Sequence, residues 1–426
     1  MNDITEIIRA NRNGQARGIY AICSAHPLVV EAAIEQAKQD DTPILIEATA
    51  NQVNQFGGYT GMLPADFLEF IGKIADKYDY PRSRIIAGGD HLGPVCWVAE
   101  TSEKAMAKAR DLIASYVAAG FKKIHLDTSM GCSDDPDLLP DEIVAQRAAD
   151  LCEVAEKTAI ATFGQSDLVF VVGTEVPPPG GATEEIEELE LTPTSRVQQT
   201  IDLHREAFNT RNLQDAWQRV IGLVVQPGVE FDHTSIIDYQ PSKALELKRF
   251  IKTIDNIAYE AHSTDYQNDQ AYIDLINDHF AILKVGPQLT LAMREALFAL
   301  SYIEEQLIGN EQQSYLRQVC EQEMLESPNY WKKFYPVPAS KGTLYRQYSY
   351  SDRIRYYWNQ PRISNAIETL LENLSNAPIP LPLISQFLPE QYKEIRNNSL
   401  SATPHALVRA KIKQVTQSYA QACWQQ

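Results

Sequence analysis

The chain has 426 residues, enough for one large domain with an extension or for two domains. Its 44% hydrophobic and 22% charged residues are ordinary for a globular protein and set aside disordered and fibrous classes. A formal charge of −18 argues against nucleic acid or an anionic membrane as partner, so a phosphorylated ligand would need local capture by a few Arg and Lys or by helix N-termini.

In chain order, residues 3–12 have the spacing of a short amphipathic helix closed by Asn13-Gly14. Charged Asp3, Glu6 and Arg9, with no apolar h-region, do not fit a signal peptide. No run approaches the roughly 20 apolar residues of a membrane span. Cys23, Cys96, Cys132, Cys152, Cys320 and Cys423 show no CxxC spacing, the pattern of reduced thiols, and a cytoplasmic protein is expected.

Short apolar runs then alternate with helix-period segments. Gly18–Ala25, Pro43–Thr49, Ile85–His91 and Lys123–Ser129 read as strands one to four. Leu168–Val176, Ile221–Pro227, Ile257–Thr264 and His279–Gly286 read as strands five to eight. Helical patterns lie between them, for example over 65–77, 103–119, 141–158, 195–208 and 242–252. Eight such strands predict an α/β protein of the (β/α)₈ TIM-barrel type. A doubly wound sheet usually carries a glycine-rich fingerprint after its first strand, and Cys23-Ser-Ala-His-Pro27 is not one. The barrel is assigned to residues 1–306. A mostly helical extension over 307–426 includes Tyr345–Trp358 and the loop Ala377-Pro-Ile-Pro-Leu-Pro-Leu383.

In Ile85-Ile-Ala-Gly-Gly-Asp-His-Leu-Gly-Pro94 an apolar strand stops at two glycines, which let another group approach the backbone closely. It then presents Asp90 and His91 where a barrel keeps its chemistry. Glu175, His233 and His262 stand after strands five, six and seven. Imidazoles His91, His233 and His262 joined by a carboxylate would make an N/O site for a divalent metal, zinc above all, with manganese, cobalt or nickel as alternatives. Asp90 is either a general base beside the metal or a group that orients a ligand. Asp127 is a candidate active-site acid; His125, two residues earlier on the same face, reads as barrel core.

Candidate substrate contacts are Glu47, then Asn51 and Gln55 in the polar loop after strand two, then Ser263 and Asp265. Lys284 inside strand eight is the sixth; it is either a Schiff-base lysine or an inward lysine paired with an acid such as Glu260. The acidic run Glu184–Glu190 reads as a solvated face. Tyr345–Trp358 interleaves basic and aromatic residues and reads as an interface or a packed helix, with Arg346, Arg353 and Arg355 within reach of a phosphate.

Long motifs carry a resemblance over essentially the whole chain. Ile22–Pro27, Leu45–Thr49, Asn51–Met62, Gly88–Pro94, Gly173–Pro177, Val225–His233, Glu260–Gln267 and Tyr348–Trp358 are similar to the Z subunits of D-tagatose-1,6-bisphosphate aldolase (the GatZ/KbaZ family). The resemblance implies a partner needed for full activity and stability of a catalytic Y subunit in galactitol and N-acetylgalactosamine catabolism, without aldolase activity alone. The barrel also resembles class II zinc aldolases. By position, that likeness implies Asp90 as base, His91, His233 and His262 as ligands, and Glu175 as a working acid. His262-Ser-Thr-Asp-Tyr and Val285-Gly-Pro-Gln replace the glycine-rich phosphate loops of those enzymes, which weakens the case for tight bisphosphate binding. The alternative expectation is a metal-dependent ketose 4-epimerase acting on a tagatose- or fructose-type sugar or sugar phosphate, with a homo-oligomer left open.

Overall fold

A computed structural model describes residues 3–174, 182, 189–335 and 338–424. Eight parallel strands close a barrel in the order β1 (Ile19–Ile22), β2 (Ile44–Thr49), β3 (Ile85–Leu92), β4 (Lys123–Leu126), β5 (Val169–Val172), β6 (Val220–Val224), β9 (Ala258–Ala261) and β10 (Phe280–Val285). Between β6 and β9 the chain inserts a small antiparallel hairpin of β7 (Glu230–Phe231) and β8 (Ile236–Ile237). These strands read as near-continuous apolar runs because helices cover the outside while side chains fill the inside.

Side-chain alternation sorts the barrel interior into layers. Ile19, Leu45, Ile86, Val169, Ile221, Ala258 and Ile282 form an apolar layer at the N-terminal end of the strands, and Ile4, Ile7 and Ile8 of helix Asp3–Arg12 close it. Two residues further along, the inward positions are Glu47, Gly88, Lys123, Glu260 and Lys284. One step higher come Asp90, His125 and His262. The interior therefore changes from hydrocarbon to ion pairs to metal-type donors along one axis.

The glycine pair of β3 serves this layering. A Cβ on Gly88 would sit 2.6 Å from Glu47 Oε1, and one on Gly89 would meet Leu92 at 2.4 Å. Glycine at 88 makes room for a charged side chain, and glycine at 89 for the outer packing. Gly93 is equally constrained: its Cβ would fall 1.7 Å from the Asp127 carbonyl oxygen. The end of β3 thereby lies directly against the end of β4.

The described residues of 307–424 are helical apart from turns and short connections, and they pack on the barrel. The last helix, Pro404–Trp424, lies against helices Pro27–Gln39, Asp269–Asn277 and Pro287–Leu307 and covers β1. Its Tyr419 hydroxyl pairs with Thr264 Oγ1 at 3.0 Å, and the Cys423 carbonyl accepts from the Gly18 amide at 2.9 Å. Among the described residues no helix is long and apolar enough to cross a membrane.

Candidate metal centre and cleft

At the C-terminal end of the barrel, Asp90, His125, Glu260 and His262 each offer a ligand atom, and these atoms lie within 4.8 Å of one another. All four are buried. His91 adjoins them, its ring centroid 5.3 Å from that of His125 and 5.1 Å from that of His262. Its Nδ1 is 2.8 Å from Asp127 Oδ2, and its Nε2 is 3.7 Å from Asp90 Oδ2. A carboxylate holding one imidazole nitrogen while the other faces a cluster of donors is how metal-ligating histidines are commonly oriented.

The backbone is bent to deliver these groups. His91 and Ser263 both adopt left-handed conformations, with φ of 49° and 52°, which non-glycine residues seldom do. Such conformations concentrate at functional sites, where the surrounding structure holds them.

Charge and clustered donors fit a cation. Lys123, fully buried, pairs with Glu47 at 2.6 Å and Glu260 at 2.7 Å. Lys284 pairs with Glu47 and lies 2.9 Å from Asp90 Oδ1. Four carboxylates (Glu47, Asp90, Asp127, Glu260) thus face two ammonium groups, and with neutral imidazoles a divalent ion would balance the remainder. His125 Nδ1 lies 2.9 Å from Asp90 Oδ1, whereas its Nε2 is buried without a hydrogen-bond partner among the described residues. His204 and His279, away from the site, have buried Nε2 atoms in the same state, so the case for an ion rests on the clustered donors and their charge.

The titration of the site follows the same excess of negative charge. Burial opposes ionisation of Asp90 and Asp127, yet the neighbouring histidines outweigh it and hold both carboxyls well below the usual range. Burial also disfavours the His91 cation, but Asp90 and Asp127 lift it to about 9. Burial lowers the Lys284 ammonium to about 8 and pushes the Cys23 thiol up to about 12.

Above this floor opens a cleft of about 660 Å³, the open solvent at its mouth included. Asp90, His91 and His262 form its base, with Ser263, Asp265 and Lys284 beside them. Asn51, Gln52 and Tyr59 of the loop after β2 form one wall, and Arg355 and Tyr356 of the C-terminal extension form another. The two walls meet in an aromatic contact, with the Tyr59 and Tyr356 rings 4.9 Å apart.

The remaining residues singled out by the sequence lie elsewhere. His233 sits in the turn of the hairpin, where its Nδ1 meets the hydroxyls of Ser351 (3.2 Å) and Ser349 (3.3 Å) and its ring packs on Tyr335 and Tyr345. It is not brought into the donor cluster. Gln55 donates to the Lys108 carbonyl at 2.9 Å and does not line the cleft. Glu47 lies beneath the floor as the acceptor of both lysines, so Lys284 has the acid partners that its buried position calls for, with Glu260 at 3.9 Å. Of the three arginines near the phosphate-type segment, Arg346 pairs with Glu321 and Arg353 stacks on Phe334, leaving Arg355 on the cleft. Glu175 and residues 184–188 of the acidic run fall outside the described residues. Sequence reasoning missed His125 and Glu260 as donors. The available signal was parity: each is a polar residue placed inward, two residues from a second polar residue at its strand's end.

A family model described as D-tagatose-1,6-bisphosphate aldolase subunit GatZ/KbaZ-like matches residues 4–424. A solved structure from Sinorhizobium meliloti 1021, described as a probable tagatose 6 phosphate kinase, is 45% identical and superposes with a TM-score of 0.89 over 96% of this chain and 100% of that one. The YdjI aldolase from Escherichia coli K12 is 12% identical, with a TM-score of 0.43 over 89% of this chain and 99% of its own.

Proposed function

The chain belongs to the GatZ/KbaZ-like family of D-tagatose-1,6-bisphosphate aldolase subunits, and from that premise we propose that its own barrel is catalytic, as a metal-dependent ketose 4-epimerase acting on a tagatose- or fructose-type sugar. The observation that carries this reading is the convergence of Asp90, His125, Glu260 and His262 within a single chain, with Asp90 and His262 lining the base of an open cleft and His125 and Glu260 fully buried behind them. A purely accessory subunit has no need of such an assembly.

In this reading His262, His125 and Glu260 would hold a divalent ion, zinc by donor type, with manganese, cobalt or nickel as alternatives, and the Asp90 carboxylate beside them is left for proton transfer. His91, oriented by Asp127, is the next donor in line. A bound ion of this kind polarises a carbonyl oxygen. The chain's residues do the rest. Asp90, kept ionised beside Lys284, accepts the C4 hydroxyl proton, with Glu175 the second candidate acceptor. Loss of that proton lets the C3–C4 bond break into a three-carbon enediolate and a three-carbon aldehyde. Re-forming the bond on the opposite face of the aldehyde returns the proton to the C4 oxygen and inverts C4, with no net oxidation. Asn51, Ser263 and Lys284 line the cleft, where they can orient the sugar hydroxyls. The six cysteines are free thiols, in keeping with a cytoplasmic enzyme.

A second reading, the accessory partner of a catalytic Y subunit, is favoured by the family's description as an aldolase subunit. One assay separates the two. The isolated full chain, with and without added divalent metal, is incubated with fructose, tagatose and their 6-phosphates, and C4 inversion is followed by chromatography. Metal-dependent turnover abolished in Asp90→Asn is the expected result. No turnover under any condition, together with stimulation of a co-expressed Y subunit, would leave the accessory reading standing.

A further inference from the structure

Two ionic features of the cleft take no part in the chemistry above. The first is Asp265. Helix Pro287–Leu307 begins at the cleft, and the start of a helix after the last barrel strand is a common seat for a phosphate. Here the amides are already taken: Gly286 N and Gln288 N both donate to Asp265 Oδ1, at 3.0 and 2.8 Å. The carboxylate is 3% exposed and lines the cleft. A phosphate drawn to those amides would meet a fixed charge of its own sign.

The second feature is Arg355. Lys284, the other cation of the cleft, is neutralised by Glu47 and Asp90. Arg355 donates instead to neutral partners, the carbonyls of Ser351 and Asp352 and, at 3.0 Å, the Tyr356 hydroxyl. No carboxylate lies within ion-pair distance of it among the described residues. A guanidinium whose hydrogen bonds all go to neutral partners, with Asp265 and Asp352 acting on it only through space, stays open to direct pairing with an anionic ligand at the wall of the cleft, and its planar fork suits phosphate.

We propose that the cleft takes a ketose bearing a single phosphoryl group, seated on Arg355 of the C-terminal extension, while Asp265 turns a second phosphoryl group away from the start of helix Pro287–Leu307. The proposal rests on the reading of this cleft as a sugar site and narrows its ligands to monophosphates over bisphosphates. Asp265 is then a specificity residue that accepts a hydroxyl where a bisphosphate would place charge.

Calorimetric titration of the metal-loaded full chain with fructose, fructose 6-phosphate and fructose 1,6-bisphosphate tests this without relying on turnover. Fructose 6-phosphate is expected to bind at least tenfold tighter than either of the others. Arg355→Met brings it down to the affinity of fructose, and Arg355→Lys, which keeps the charge but not the fork, falls between. Asp265→Asn keeps an oxygen for the two amides and brings the bisphosphate to within threefold of the monophosphate. Wild-type binding of the bisphosphate as tightly as the monophosphate would overturn the proposal, as would an unchanged monophosphate preference in Arg355→Met. The expected binding pattern without turnover would count against the epimerase reading alone, so the two ideas fail separately.

Discussion

The floor of the cleft and its outer wall are built on different principles. The floor comes from strand positions two residues apart, so backbone geometry alone aligns Glu47 with Lys123 and Asp90 with His125. Its charged groups are buried and mutually dependent. The wall comes from a turn of the C-terminal extension, fixed by rings and hydroxyls: Tyr330 and Tyr356 stack, Tyr59 meets both edge-on, and Ser349 and Ser351 hold His233. The floor is thus fixed by strand register, while the shape and charge of the opening are set by an appended segment.

The comparison breaks first at Lys123. Replacing it with Met leaves Glu47 and Glu260 buried with one ammonium fewer, so unfolding by urea should show a loss of about 3–5 kcal/mol. A loss below about 1 kcal/mol would mean that the floor is not the coupled unit described here.

Asp265 should show the opposite sign. Its carboxyl, near 3.8 in the unfolded chain, is raised to about 6 by burial. The folded state therefore favours the protonated form: the group's contribution is fully present below pH 3.8 and is lost as pH rises through 6. Asp265→Asn mimics the neutral acid and should stabilise the metal-free protein by about 2–3 kcal/mol above pH 7, the gain vanishing below pH 4. Thermal unfolding of both forms across pH 4–8 checks it, and a pH-independent difference would contradict it. If Asp265 screens ligands as proposed, stability given up there is the expected trade.

Asp127→Asn should keep the fold but lower metal affinity or activity by about 10–100-fold, because it loosens His91 without removing a member of the cluster. The smallest effect is expected on the wall. His233→Ala removes ring contacts with Tyr335 and Tyr345 and should cost about 1–2 kcal/mol while leaving metal content unchanged.

The sequence shows the floor far better than the wall. All eight barrel strands were visible as apolar runs with punctuation, because parallel strands buried on both faces are near-continuously apolar, broken here by inward charges such as Glu47 and Glu260. The glycines at 88 and 89 announced a close approach, and the structure supplies Glu47 and Leu92 as the approaching groups. Depth within the barrel was not legible. His125 reads as core because it precedes Asp127, yet it is level with Asp90 because β3 and β4 pair Gly88 with Lys123 and Gly89 with Ile124. His233 follows strand six in sequence, but β6 ends at Val224 and the intervening hairpin carries the ring to the extension. A loop path of this kind has no periodicity to read. Arg355 stood among three arginines of equal appearance, and only the folded partners of Arg346 and Arg353 set it apart.

The measurement that goes most directly to the central claim is the metal content of the purified full chain, alongside His125→Ala, His262→Ala and His233→Ala, each shown to be folded by its thermal transition. The account predicts one equivalent of divalent metal in the wild type and in His233→Ala, and its loss from His125→Ala and His262→Ala. Full occupancy in His125→Ala with loss in His233→Ala would contradict it.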